Sequence, residues 1–352
     1  MKKYFSFIII LFTSFNIYSQ ATDFLTGLND PQDILLDGNI LYIAENNASR
    51  IIKVNLSEPN PIPEVVISGI PVVYGLALNG TELFFSQLNG QNKISKIDLL
   101  DPNPTPVVIL ENFSSAHDLI FYGNELYIAQ FGQDRIVKID PSIANPPIIE
   151  VITGFDTPIG LELVGDDLYI ATWGVNKISK VDLTNPNPVA INVITNLLLP
   201  VGLAHRGNEL YIAEAGQSIG NDRISKIDLN SSNPIRESVV TGLYNPTKGL
   251  EIHNDVLYIA EDFKISSFGL PPLLSTDDFE VESISVYPNP TFDYVKVSGI
   301  TNPVNYKIYN ISGTILGTGI VAENQNISFQ SLSSGVYFLI FEDRQVKQIV
   351  KK

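Results

Sequence analysis

The sequence predicts an all-β protein in which a six-bladed β-propeller precedes a small β-sandwich. Three observations support this fold class. A short strand motif, twice in the form NELYIA, occurs six times with spacings of 42 to 47 residues. Each repeat holds four strand-like runs divided by Gly, Asn and Pro turns, which is typical of a propeller blade. After Pro272 the repeat stops and a different pattern of short strands begins.

The repeated motif defines the second strand of each blade. The six copies are NILYIA at 39–44, TELFFS at 81–86, NELYIA at 124–129, DDLYIA at 166–171, NELYIA at 208–213 and DVLYIA at 255–260. None shows the i, i+3, i+4 apolar spacing of an amphipathic helix. A helical repeat of similar length is therefore excluded.

The fourth repeat illustrates how the remaining strands are predicted. Residues 159–164 are a short apolar strand, 177–183 alternate apolar and polar residues, and 191–197 form the outer strand after a Pro/Asn loop. The turn between the first two strands of every blade carries a residue that accepts positive φ. These residues are Gly38, Gly80, Gly123, Gly165, Gly207 and Asn254.

The two ends of the repeat array complement each other. The last repeat reaches Pro271 without an outer strand, whereas residues 22–28 match the outer strands of other blades. We therefore expect the N-terminal strand to complete the sixth blade and to remove two free sheet edges. The chain has no cysteine, so closure depends on hydrogen bonds and packing.

These patterns divide the chain into four segments. We expect a signal peptide at 1–20, the propeller at 21–270, a polar linker at 271–283 and the sandwich at 284–352. The apolar run that follows Lys2 and Lys3 is too short for a comfortable membrane span. No later stretch has the length and hydrophobicity of a membrane helix. The mature protein is therefore expected to be exported, soluble and monomeric.

Composition narrows the possible partners. A net charge of −16 argues against binding nucleic acid or an anionic membrane through a basic face. The absence of cysteine excludes disulfides, thiolate metal sites, a cysteine nucleophile and a lipoprotein anchor.

The C-terminal segment contains a set of ordered motifs, which comprise Tyr287, Pro288, Asn289, Pro290, Gly313, Gly335, Tyr337, Lys351 and Lys352. Through these motifs the segment resembles the type A C-terminal sorting domain of the bacterial type IX secretion system. The resemblance implies a Bacteroidetes-type host, Sec export to the periplasm and passage across the outer membrane by the type IX machinery. It also implies release or attachment to the cell surface. The alternative is an ordinary sandwich used for adhesion.

The propeller resembles the NHL and gluconolactonase-like group through strand starts such as PIGL at 158–161 and through its LYIA strands. That group contains lactonases, esterases and binding modules, so the fold does not settle function. Its metal-dependent members place oxygen ligands just before the glycine of the first strand. The matching residues here are Gln32, Tyr74, His117, Ile159, Val201 and Lys248. None is a carboxylate, so we expect no metal, no cofactor and no catalytic residue of that type.

Two blades carry aspartate where the other four have this glycine. Asp33 and Asp118 either line the channel mouth beside His117 or cap backbone N–H groups; the second interpretation is favoured. His117 and Asp118 do not form a base and its orienting partner, because neighbouring strand residues point to opposite faces.

The ends of the second strands differ around the ring. Blades 5, 6 and 1 carry Glu214, Glu261 and Glu45, whereas Phe131 and Trp173 follow the second strands of blades 3 and 4. One hypothesis is a ligand cradle in which the aromatic arc stacks on a sugar or peptide and the acidic arc binds hydroxyls. The alternative is that the glutamates satisfy backbone groups and that the aromatic residues wedge between blades.

Together, these features predict a secreted or surface binding protein whose ligand is a carbohydrate or a peptide. The alternative function is a divergent lactonase or esterase.

Overall fold

The computed structural model describes residues 20–88, 90–216, 222–273, 284–300, 303–311, 314–341 and 346–352. For Thr247, Lys248 and Val346 it describes the backbone alone. The chain separates into two compact units between Pro271 and Pro272.

The first unit consists of 24 strands, β1 to β24, in six four-stranded antiparallel sheets. The strands of the N-terminal half are β1 (Thr22–Thr26), β2 (Pro31–Asp37), β3 (Ile40–Glu45), β4 (Arg50–Asn55), β5 (Glu64–Ser68), β6 (Val73–Asn79), β7 (Glu82–Gln87), β8 (Lys93–Asp98), β9 (Val107–Leu110), β10 (Ala116–Tyr122), β11 (Glu125–Gln130), β12 (Arg135–Ile139) and β13 (Ile149–Thr153). A 3₁₀ helix (Phe131–Gln133) follows β11.

The second half of this unit repeats the same order. Its strands are β14 (Pro158–Val164), β15 (Asp167–Thr172), β16 (Lys177–Asp182), β17 (Ile191–Ile194), β18 (Pro200–Arg206), β19 (Glu209–Glu214), β20 (Arg223–Asp228), β21 (Glu237–Thr241), β22 (Pro246–His253), β23 (Val256–Glu261) and β24 (Lys264–Gly269). Five blades are consecutive sets of four strands, from β2–β5 to β18–β21.

The sixth blade confirms the predicted closure. Its order is β1-β24-β23-β22, so the N-terminal strand supplies the outer edge. Thr22 is paired with Ser267 across the antiparallel β1–β24 ladder. The Phe24 ring stands edge-on to Tyr258 with centroids 5.0 Å apart, and Lys264 Nζ lies 2.6 Å from Asp23 Oδ1.

The second strand of each blade is apolar on both faces because neighbouring blades cover it on both sides. Leu41 and Ile43 pack with Tyr258 and Ala260 of the sixth blade. The intervening residue, Tyr42, packs with residues of the second blade instead. The continuous LYIA run therefore follows from burial between two sheets.

The first strands of all six blades surround a central cavity of about 350 Å³. These strands are β2, β6, β10, β14, β18 and β22. The turns that follow them have the positive φ that the sequence predicts, for example 62° at Gly165 and 47° at Asn254.

The second unit is a sandwich of two antiparallel sheets, as the sequence predicts. Its strands are β25 (Ser285–Tyr287), β26 (Tyr294–Ser298), β27 (Val304–Asn310), β28 (Ile315–Val321), β29 (Asn326–Ser328), β30 (Gly335–Phe341) and β31 (Val346–Lys351). One sheet has the order β25-β26-β29 and the other β28-β27-β30-β31. Val295, Phe329, Leu339 and Phe341 form the centre of its core.

Candidate functional site

One face of the propeller, termed the loop face, collects two kinds of loop. Pro31 at the start of β2 pairs with Glu45 at the end of β3. The loops that enter each blade therefore lie beside the loops that join its second and third strands. The same register recurs in the fourth blade, where Pro158 pairs with Thr172.

Four side chains on the loop face form a continuous row, termed the aromatic row. Tyr74 and His117 lie edge to face with ring centroids 5.2 Å apart. His117 and Phe131 follow at 5.7 Å, and Phe131 and Trp173 at 6.4 Å. The row crosses blades 2, 3 and 4. The sequence predicted these residues separately, and only the structure shows that they are contiguous.

Backbone hydrogen bonds position Phe131 and Trp173, the last two residues of this row. The Phe131 N–H donates to Ser115 O at 2.9 Å, and the Trp173 N–H donates to Thr157 O at 3.1 Å. Gly174 follows the tryptophan, and a Cβ at that position would lie 2.3 Å from Asp156 Oδ1. The glycine therefore allows the loop to fold against Asp156 and leaves Trp173 36% exposed.

In blades 1 and 6, the loop face carries aspartate side chains. Asp30 accepts hydrogen bonds from Asn46 Nδ2 at 2.8 Å and from Gln32 Nε2 at 2.5 Å. Burial raises the pKa of the Tyr74 hydroxyl, and the negative charge of Asp30 raises it further. Asp30 thus acts electrostatically on one end of the aromatic row.

Asp262 gives this face a second carboxylate. It accepts a hydrogen bond from Asn245 Nδ2 at 2.7 Å. Burial raises its pKa, and the charges of Asp30 and Asp222 raise it further. The exposed rings of Tyr244 and Phe263 lie nearby in the same blade, with centroids 6.2 Å apart. The sequence reasoning did not single out Asp30, although it directly precedes β2.

The three glutamates of the predicted acidic arc lie beneath the loop face and are buried. Glu45 accepts hydrogen bonds from the Asn29 N–H at 2.9 Å and Arg50 Nε at 2.5 Å. Glu261 accepts one from the Tyr244 N–H at 2.5 Å. Each carboxylate therefore joins the end of its second strand to the loop that enters the same blade.

Blades 2 and 3 use glutamine for the same connection. Gln87 Nε2 donates to Pro71 O at 2.9 Å, and Gln130 Nε2 donates to Ser114 O at 3.0 Å. The side chain at the end of the second strand thus connects the same two segments in the three glutamate blades and the two glutamine blades. These contacts match the alternative interpretation, in which the glutamates satisfy backbone groups rather than bind a ligand.

Asp33 and Asp118 each connect two neighbouring blades. Asp33 accepts hydrogen bonds from the Ile34 N–H at 3.0 Å and from the Leu76 N–H of the next blade at 2.7 Å. Asp118 repeats this arrangement with the N–H groups of Leu119 and Leu161. These bonds match the favoured capping interpretation. The remaining predicted residue is Lys248. The structure describes only its backbone position in β22.

Two carboxylates that line the central cavity, Glu162 and Glu251, were not singled out from the sequence. His205 Nδ1 lies 2.5 Å from Glu162 Oε1 of the preceding blade. Glu251 Oε1 accepts a hydrogen bond from the Leu36 N–H at 3.3 Å. The available signal was a carboxylate at a position that is Leu35, Ala77, Ile120 or Ala204 in the other blades. Among the described residues, no three His, Asp or Glu side chains are placed to hold a metal ion together.

These channel groups make the stability of the propeller depend on pH. Burial raises the pKa of Glu162 and, more strongly, of Glu251. The hydrogen bond that His205 donates to Glu162 raises the pKa of His205. In every case the folded state binds the proton more tightly than the unfolded state does, so the contribution to stability decreases as pH rises through the folded pKa.

We therefore expect the melting temperature of the purified protein to fall between pH 5 and pH 8. The variant Glu251→Gln should flatten this slope and melt higher than the wild type at pH 8. Thermal melts of both proteins at several pH values measure the effect. A wild-type melting temperature that rises over this interval would contradict the prediction.

The sorting-motif residues lie at one end of the sandwich, where the first loop meets the last strand. Asn289 Nδ2 donates to Gln348 O at 2.6 Å, and its Oδ1 accepts from the Val350 N–H at 2.9 Å. Lys351 Nζ donates to Phe292 O. The Tyr337 hydroxyl donates to Ser333 O at 2.6 Å. The motif residues thus hydrogen-bond the C-terminal strand to the rest of the sandwich. Gly313, a glycine of the motif, lies outside the described residues.

Fold and motifs together define a class: a β-propeller protein with a C-terminal sandwich for sorting. Residues 285–352 match the family model of the secretion system C-terminal sorting domain. This match confirms the type IX resemblance and indicates export to the cell surface or the extracellular space. The predicted signal peptide lies almost wholly outside the described residues. In the part of the chain that the structure describes, no helix is long and apolar enough to cross a membrane.

Solved structures confirm the propeller fold. PQQ-bound aldose sugar dehydrogenase from Streptomyces coelicolor matches with a TM-score of 0.57 and 14% identity, covering 70% of this chain and 96% of its own. A putative glucose dehydrogenase from Thermus thermophilus matches with a TM-score of 0.55 and 13% identity, covering 70% of this chain and 98% of its own.

Virginiamycin B lyase from Staphylococcus aureus is a third structural neighbour. It matches with a TM-score of 0.52 and 17% identity, covering 70% of this chain and 97% of its own. At these identities the likeness concerns the fold alone. No curated protein sequence matches the chain.

Proposed function

We propose that the protein is exported by type IX secretion and binds a carbohydrate through the loop face of its propeller. The observation that carries this proposal is the aromatic row from Tyr74 to Trp173, which spans three blades. Aromatic faces stack on the apolar faces of sugars and peptides. Carboxylate and amide groups such as those of Asp30 and Asn46 supply hydrogen-bond partners for hydroxyl groups.

Trp173→Ala tests the proposal most directly. Since Trp173 is partly exposed and follows its strand, the variant should melt like the wild type. On a glycan array its affinity should be at least about tenfold lower than that of the wild type, because an exposed tryptophan in a binding site supplies a large share of the contact energy. Phe263→Ala is the matched control, since Phe263 is an exposed aromatic residue in the corresponding loop of blade 6.

The array result separates the remaining possibilities. Glycan binding that is unchanged in Trp173→Ala would contradict the proposed role of the aromatic row. Binding of the wild type to a peptide array, with none to glycans, would assign the row to a peptide ligand instead. Loss of folding in Trp173→Ala would show that the tryptophan is a packing residue.

A second candidate function is a divergent lactonase or esterase. The observation in its favour is the Glu162–His205 pair, in which a carboxylate that lines the central cavity orients an imidazole. Hydrolysis of a lactone or aryl-ester panel by the wild type, abolished in Glu162→Gln, would support this function. The absence of turnover together with glycan binding would favour the first proposal.

A further inference from the structure

Among its described residues the sandwich has four sheet edges, which differ in how they are protected from pairing with another strand. An exposed edge presents unpaired backbone N–H and C=O groups that pair readily with another strand. Two edges, β25 and β29, have only three residues each. The third, β31, carries Lys347 and Lys351 and is covered by the loop after β25. In that cover, the Thr291 N–H donates to Val350 O at 2.8 Å.

The fourth edge, β28, lacks all of these protections. It is seven residues long, reads ILGTGIV and pairs on its inner side with β27. It contains no charged residue and no proline, and no charged residue occurs between Lys307 and Glu323. Leu316 is 43% exposed and Ile320 is 67% exposed. Within the described residues, no strand pairs with its outer side.

A cavity adjoins this edge on the sheet. Its volume is about 630 Å³, and its lining includes Tyr309, Ile320 and Ile340 together with Lys307. Such a lining accommodates an apolar side chain of an added strand and favours an acidic residue beside it. In strand addition, backbone pairing provides affinity and pockets of this kind provide specificity.

We propose that β28 is the edge at which the export machinery engages this domain. In this proposal, an extended apolar strand of the machinery, which carries an acidic residue, pairs with β28. The proposal rests on the assignment of residues 285–352 as a sorting domain. A second copy of this chain is disfavoured as the occupant, because its β28 strand contains no acidic residue to place beside Lys307.

The test places lysine on this edge without disturbing the core. The variant is Leu316→Lys with Ile320→Lys, since lysine on an edge strand opposes strand addition. The matched control is Ile62→Lys with Ile235→Lys, because both isoleucines are 77% exposed on the propeller and the added charge is equal. All proteins are expressed as full chains in a host with type IX export. Immunoblots then measure the exported and the periplasmic protein.

We expect the β28 variant to be exported about tenfold less than the wild type, with accumulation in the periplasm, whereas the control is exported normally. The purified β28 variant should keep the wild-type melting temperature and glycan binding. Normal export of this variant would overturn the proposal. A wild-type dimer on size exclusion that the two lysines dissociate would also overturn it, because the occupant would then be a second copy. Glycan binding is measured separately, so the proposed function stands or fails independently.

Discussion

Glu214→Ala should lower the free energy of unfolding of the propeller by about 3 kcal/mol. Glu214 has no exposed surface and accepts hydrogen bonds from the Leu198 N–H at 2.7 Å and Ser225 Oγ at 2.6 Å. It also pairs with Arg223 Nε at 3.1 Å and with Arg236 Nη1 at 3.1 Å. Alanine would leave buried donors without an acceptor, and the two arginines would lose their counter-ion.

Urea unfolding, followed by the fluorescence of Trp173, measures this loss, because Trp173 is the single tryptophan of the chain. Glu214→Gln should cost less, since blades 2 and 3 hold glutamine at the same position. Glu237→Ala is the matched control: Glu237 is exposed in the same blade and lies 4.0 Å from Lys226. A Glu214→Ala variant as stable as this control would contradict the structural role of the glutamate.

Gly160→Ala is expected to destabilise the ring by about 3 kcal/mol or more, through overpacking between two blades. A Cβ at Gly160 would lie 2.1 Å from Val201 O of the next blade. That neighbour is backbone in β18, so it cannot rotate away as a side chain would. Relief of the clash requires the fourth and fifth blades to separate along the channel.

Gly269→Ala provides the comparison for this variant, because a Cβ there meets no atom within 4 Å. The comparison variant should unfold at nearly the wild-type urea concentration, whereas Gly160→Ala should unfold at a clearly lower one. Equal midpoints for the two variants would show that the blades move apart at little cost. The same close approach recurs at Gly249, where a Cβ would lie 2.8 Å from Ile34 N.

The close approach at these glycines explains why the first strands carry two residue types at one position. Glycine allows backbones of adjacent blades to meet, as at Gly75, where a Cβ would lie 3.0 Å from His117 O. Aspartate at the same position instead spans the gap and accepts an N–H of the next blade, as Asp118 does with Leu161. The sequence showed that this position holds either glycine or aspartate, but only the distance between neighbouring blades explains the choice of these two residue types.

Local patterning predicted most of the fold. The spacing of the LYIA strands, the positive-φ residues in the turns and the missing outer strand of the last repeat were sufficient to predict six blades closed by β1. These features are encoded locally, because strand alternation and turn geometry depend on neighbouring residues. The sorting motifs were also contiguous in sequence, and they were recognisable for that reason.

The candidate site depends on distances that the linear sequence does not contain. Glu214 and Trp173 occupy nearly equivalent repeat positions, yet one is buried beneath the loop face and the other is partly exposed on it. Likewise, Glu162 and His205 are 43 residues apart in sequence, but Glu162 Oε1 lies 2.5 Å from His205 Nδ1 in the structure. By itself, the sequence determined the number of blades, their closure and the sorting domain, since each follows from local periodicity or a continuous motif. Only the tertiary structure decided which polar side chains reach solvent, because the packing of adjacent blades sets their burial and their partners.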